Sequence, residues 1–203
     1  MFLPINSIEP DDMKRFLILQ ALAMLGLPRW MARLVFLALL IVSSTQLLAD
    51  TLAGRVVGVA DGDTITVLDR SRTQHRIRLQ GIDAPEKRQA FGNVSRRALS
   101  DLVHGKDVVI EYHDQDRYGR ILGIVLIGGR DVNLGMVQAG MAWHYKQYQR
   151  DQTPVNRSAY AQAELEARAA GRGLWRDAHP IAPWDFRRQA ARDRTGSNLL
   201  TIY

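Results

Sequence analysis

Four of the five acids within residues 61–86 fall in two pairs: Asp61 with Asp63, then Asp83 with Glu86. Carboxylates brought together repel and raise one another's pKa unless a cation sits among them. The chain has no cysteine. Its histidines, His75, His104, His113, His144 and His179, show no ligand spacing. An oxygen-only donor set of this kind suits a hard cation, Ca2+ or Mg2+. The plainer alternative is that Asp-Gly-Asp is only a turn, because turns favour those residues, and that Asp83 only closes a loop.

Two arginines extend the chemistry. Arg78 precedes Asp83 in an alternating segment, and Arg120 ends the run Asp116-Arg117-Tyr118-Gly119-Arg120. A phosphodiester transition state spreads negative charge over phosphoryl oxygens, which guanidinium forks match bidentately. A metal and two arginines facing carboxylates is what phosphodiester chemistry needs. For Arg120 the plainer alternative is a solvated arginine at a turn, the commonest fate of that side chain. Asp114 and Asp116 likewise read as a solvated turn.

The elements that must position these residues are short strands. Segments 52–59 and 64–68 are rich in β-branched residues, and Asp61-Gly62 between them is a hairpin signal. In 73–82, the period of two sets Arg78 on the face opposite Ile77 and Leu79, and Pro85 breaks the strand. Residues 90–103 carry Phe91, Val94, Ala98 and Leu102 at helical spacing, which predicts their face as the packed one. Strands follow around 108–112 and over 121–127. Helices are expected over 132–139, closed by Gly140, and over 156–170, closed by Gly171. The second is alanine-rich, and Glu164, Glu166 and Arg168 read as its solvated face. Five strands with a helix between the third and fourth is the order of an OB-type barrel.

Taken in order, Asp61-Gly62-Asp63-Thr64, Arg78-Leu79-Gln80-Gly81-Ile82-Asp83-Ala84-Pro85-Glu86 and Asp116-Arg117-Tyr118-Gly119-Arg120 resemble the thermonuclease family, typified by staphylococcal nuclease. Gly140-Met141-Ala142 and Gly173-Leu174-Trp175 extend the resemblance, which covers roughly 52–176. It implies an α+β fold, a five-stranded OB-fold barrel with three helices, that cleaves DNA and RNA phosphodiesters with Ca2+ and leaves 3′-phosphate ends. Asp63 and Asp83 look like the carboxylate ligands and the Ala84 carbonyl a third protein ligand. Glu86 looks like the residue that activates or orients the attacking water, and Arg78 and Arg120 look like phosphate clamps. By the same resemblance Asp61 would stand behind the ligands. Arg117, Tyr118, Tyr145, Lys146 and Tyr148 are candidate nucleotide-binding residues, since aromatic rings stack on bases; surface aromatics are the alternative for the tyrosines. The chain departs from the type member in three places: Ala84 for a threonine, Arg117 for a lysine, and a shorter segment after Glu86.

The first 49 residues differ in character. Arg33, the apolar run 34–42 and Ala49 make a secretory signal pattern, with cleavage expected after Ala49. The apolar run falls short of the roughly 20 residues of a spanning helix, and an uncleaved N-terminal membrane anchor over 34–49 is the alternative. Met1, Met13 and Met31 are each possible starts. The chain is therefore divided into a signal peptide or anchor (1–49), a nuclease-like OB-fold domain (50–176) and a basic, loosely ordered tail (177–203).

The chain of 203 residues has 27 Lys and Arg against 21 Asp and Glu. That basic excess favours an anionic partner. No P-loop, Gly-x-Ser-x-Gly elbow or dinucleotide fingerprint is present. The expected activity is that of an exported, calcium-dependent endonuclease. The alternative is an OB-fold module that binds nucleic acid without cutting it. A pure binder has no need of Asp63, Asp83, Glu86, Arg78 and Arg120 together, and no obligate protein partner is evident.

Overall fold

The computed structural model of this chain describes residues 50–200, with side chains placed as far as residue 193. The expected signal peptide or anchor lies outside the described residues. Strands β1 (Asp50–Val59), β2 (Thr64–Asp69) and β3 (Gln74–Leu79) form an antiparallel meander. The short β4 (Ile82–Asp83) and helix α1 (Gly92–Val103) then lead to β5 (Asp107–Gln115) and β6 (Ile121–Ile127). β5 pairs with β1 and β6 with β5, both antiparallel. A parallel ladder between β3 and β6, with Ile77 opposite Ile121, closes the sheet. The result is a closed five-stranded barrel, which leaves no long edge to pair with another chain.

Alternation supplies the core. Ile65 and Val67 of β2, Ile77 and Leu79 of β3, Ile110 of β5 and Val125 of β6 all point inward and are buried. Arg78 lies on the outer face, as its position between Ile77 and Leu79 requires. Beyond the short β7 (Arg130–Asp131) come helices α2 (Val132–Gln138) and α3 (Pro154–Ala169). Asp131 caps α2 by accepting from the Leu134 amide at 2.9 Å, and its other oxygen accepts the Tyr160 hydroxyl of α3 at 2.7 Å. Asn133 is fully buried and ties the helix to the barrel: it accepts from the Val125 amide and donates to the carbonyls of Gln80 and Gly123.

The structure differs from the sequence expectations in three places. The packed stripe of α1 is Gly92, Ser95, Leu99 and Val103, whereas Val94 and Leu102 are 47% and 41% exposed. The stripe sits one residue over because close approach decides it: a Cβ on Gly92 would lie 2.0 Å from the Glu86 carbonyl oxygen. Glu164 of α3 is buried rather than solvated, receives Lys146 and accepts from the His144 amide. The segment 177–203, expected to be loosely ordered, contains a fourth helix, α4 (Pro183–Leu200). Its docking surface is a second apolar cluster of Trp143, Leu174 and Ala182, with Phe91, Trp175 and Trp184 packed against it. No helix among the described residues is long and apolar enough to cross a membrane.

Candidate active site

The two acidic pairs meet because two short elements converge. The turn 60–63 ends in an Asx contact, in which the Asp63 amide donates to the Asp61 side chain at 3.1 Å. Gly62 lets this turn press against the rest of the site. A Cβ there would lie 1.9 Å from Ser95 Oγ and 2.7 Å from Ala84 Cβ. Asp83 is held from the other side by β8 (Trp143–His144), which pairs with β4 so that Asp83 faces Trp143. His144 is itself buried and bonds Gln152 through Nε2 at 2.9 Å. Burial pushes its imidazole below the ordinary histidine range.

Arg78 joins the pairs. Its Nη1 donates to Asp63 Oδ1 at 2.5 Å and its Nη2 to Asp83 Oδ1 at 2.7 Å. Asp63 Oδ1 also accepts from Thr64 Oγ1, and Oδ2 accepts from the Ala84 amide at 2.9 Å. Both aspartates are buried. Burial pushes the Asp63 carboxyl up to about 7; Arg78 opposes the shift, while the charges of Asp61 and Asp83 add to it. Burial lowers the pKa of the Arg78 guanidinium, but Asp63 and Asp83 together carry it above its ordinary value.

Sequence reasoning missed one member of this cluster. Arg187 of α4 donates through Nη2 to Asp83 Oδ2 at 2.7 Å and through Nη1 to Asp83 Oδ1 at 3.2 Å. Its Nη1 also reaches Glu86 Oε1 at 2.6 Å. Glu86 is thereby tied to Asp83 through a guanidinium. The signal lay in Pro183-Trp184-Asp185-Phe186-Arg187: a proline and an acid open the helix and a tryptophan anchors it.

Arg120 takes a different place. Its Nε donates to Asp116 Oδ2 at 2.7 Å, and the same aspartate accepts from the amides of Tyr118 and Arg120, so it organises the β5–β6 turn. These bonds hold the Asp116 carboxyl below its ordinary range against the burial that raises it. Arg120 and Arg78 flank the Ile77–Ile121 pair, so they belong to the same outer face of the β3–β6 ladder. Arg117 stacks its guanidinium on the exposed Tyr118 ring at 4.9 Å. Tyr145 stacks on Trp184, with ring centroids 5.4 Å apart, and lies 5.1 Å from the Tyr148 ring. Lys146 is committed to the buried Glu164.

Among the described residues, no group of three or more His, Cys, Asp or Glu is gathered closely enough to hold a metal ion. The donor inventory of the two aspartates still fits a hard cation. A carboxylate oxygen offers two lone pairs. Oδ1 of each aspartate accepts two bonds, whereas Asp63 Oδ2 and Asp83 Oδ2 accept one apiece. Each aspartate thus retains an acceptor site on Oδ2, with neither sulfur nor imidazole alongside.

A closed OB barrel bearing arginine-bridged aspartates beside a glutamate is the architecture of an OB-fold nuclease. The model of the staphylococcal nuclease homologue family matches residues 76–177. An uncharacterized endonuclease of Escherichia coli is 49% identical over 159 residues, covering 77% of this chain and 98% of that protein. An uncharacterized endonuclease of Haemophilus influenzae is 48% identical over 135 residues, 66% of this chain and 72% of that protein. The micrococcal nuclease of Shigella flexneri is 41% identical over 165 residues, 77% of this chain and 91% of that protein. The chain belongs to the staphylococcal nuclease family.

Proposed function

We propose that this chain is an exported, calcium-dependent endonuclease that hydrolyses phosphodiester bonds of DNA, RNA or both and leaves 3′-phosphate ends. The observation that supports this reading most directly is the junction of Arg78 with Asp63 and Asp83, with Glu86 beside it. Asp63, Asp83 and the Ala84 carbonyl are the residues that would hold the ion. The ion would supply charge neutralisation for the phosphoryl group and a more acidic water. Arg78 uses two of its five N–H donors on the aspartates, and the others are available to phosphoryl oxygens in the transition state. Glu86 orients the attacking water and accepts its proton. The water oxygen bonds to phosphorus, the bond to the 5′ oxygen breaks, that oxygen takes up a proton from solvent to leave as a hydroxyl, and the phosphate stays on the 3′ side. Arg120 approaches the same phosphate after exchanging part of its contact with Asp116. Tyr145, Tyr148, Tyr118 and Arg117 are the groups available to flanking nucleotides.

The test is to incubate the protein with DNA and with RNA, with Ca2+ or with chelator, and to identify the product ends. Chelation is expected to abolish cleavage and added Ca2+ to restore it. Mg2+ should substitute poorly, because it demands a tighter octahedral shell. Full cleavage in excess chelator would remove the metal from the mechanism. Binding of either polymer without cleavage under every condition would make the chain an OB-fold binding module.

A further inference from the structure

Arg187 lies outside the family match, which ends at residue 177, yet it touches both Asp83 and Glu86. We propose that Arg187 is a positioning residue of the active site, delivered by α4, that fixes the Glu86 carboxylate relative to Asp83. The proposal rests on the nuclease reading and extends it to a part of the chain beyond the barrel and its three helices.

The first support is the way α4 is anchored. Ala182 is buried against Trp143 and Leu174. Trp184 meets Trp143 edge-on at 5.5 Å and stacks on Tyr145 with an interplanar angle of 16°. Gln89, from the segment following Glu86, donates to the Ile181 carbonyl at 2.6 Å. Arg187 follows Trp184 by three residues and so shares its face of the helix. Aromatic packing therefore sets where the guanidinium goes.

The second support is the bonding pattern. The guanidinium makes a two-nitrogen fork on buried Asp83 and shares Nη1 with Glu86 Oε1. Glu86 is 40% exposed on an irregular segment, where an unheld side chain samples several rotamers. Oε1 is fixed, while Oε2 makes no bond to another described residue and is left to receive a water proton.

The experiment uses the full chain and four measurements: kcat, KM, thermal stability in chelator, and affinity for a short oligonucleotide in chelator, where no cleavage occurs. A wild-type protein that binds nucleic acid but never cleaves it removes the nuclease reading and this proposal with it. With an active wild type, Arg187→Ala is expected to lower kcat by about 10- to 100-fold, the scale of a misplacement of about 1 Å. KM and oligonucleotide affinity should stay within about threefold, because Arg187 is spent on carboxylates rather than on the substrate. Methylguanidinium added to Arg187→Ala should restore part of kcat and leave wild type unaffected. Arg187→Lys keeps the charge but has one nitrogen in place of the fork, so it should fall between wild type and Arg187→Ala. If Arg187→Ala fails to fold, Arg187→Lys carries the test, and an undiminished kcat there overturns the proposal. An unchanged or raised kcat in Arg187→Ala also overturns it, the raised value making the guanidinium a competitor of the cation. Parallel losses of stability and affinity without a methylguanidinium response would make Arg187 a structural strut.

Discussion

Asp63 is a buried carboxylate relieved mainly by Arg78. Removing one partner of a buried ion pair exposes the other's desolvation cost, at about 3–5 kcal/mol. Arg78→Ala should therefore lower thermal stability in chelator as well as turnover, and a divalent cation should recover some of the stability but not the turnover. A melting temperature unchanged in chelator would show that Arg78 does not hold the aspartates. Glu86→Gln separates chemistry from binding. It keeps the shape and a hydrogen-bond acceptor for Arg187 but loses the charge that takes a proton. Turnover should fall by about 100-fold or more, the range for general base catalysis, with oligonucleotide affinity at fixed salt largely kept. Equal losses in both would assign Glu86 to holding the structure or the metal.

Among the elements, β8 does the most for the site relative to its length. Its two residues pair with β4 and hold Asp83 in place. His144 of β8 is buried with a depressed pKa, so the folded state binds its proton less readily than the unfolded chain does. The contribution of neutral His144 is complete above the unfolded histidine pKa, about 6.5, and is lost as pH falls below it. Asp63, whose carboxyl is raised to about 7, has the opposite slope in this window, so the readout is a difference: between pH 7.5 and 5.5 the thermal stability of wild type should decline relative to that of His144→Gln. An identical profile in the variant would assign the pH dependence to other groups. Helix α1 acts by closeness instead: Ser95 Oγ donates to the Met141 carbonyl at 2.7 Å while standing against the Gly62 turn. Its small residues let the turn carrying Asp63 come within reach of Ala84.

For the whole molecule, barrel closure through the parallel β3–β6 ladder brings Arg78 and Arg120 to one outer face although 41 residues separate them between strands far apart in sequence. The aromatic cluster adds α4 beside the β4–β8 end, where Arg168 also lies over the Trp143 and Trp175 rings at 4.9 and 4.1 Å. The net charge of +6 favours a polyanionic substrate. Export is tested on the intact gene product. Protein recovered from the envelope or medium should begin at Asp50 or within a few residues of it. A chain starting at Met1 or Met31 and retained on membranes would instead show an anchor.

Local chemistry made much of this protein legible without coordinates. Strict alternation around Arg78 placed Ile77 and Leu79 inside, Asp61-Gly62 announced the first hairpin, and the five strands fell close to their observed ranges. Those features depend on neighbours in the chain, because side-chain direction in a strand and backbone freedom in a turn are local properties. Contacts between distant segments were not legible. The buried stripe of α1 is set by Gly92 and Ser95 meeting the Glu86 carbonyl and the Gly62 turn, and hydrophobic spacing carries no information about such close approaches. Glu164 looked solvated on its helix and is buried because β8 and Lys146 meet it there. Arg187 stands 101 residues beyond Glu86, in a stretch whose polar composition resembles a free tail. Only the packing of Trp184 against Trp143 and Tyr145 turns that stretch into a docked helix, and only the docking brings its guanidinium to the two carboxylates.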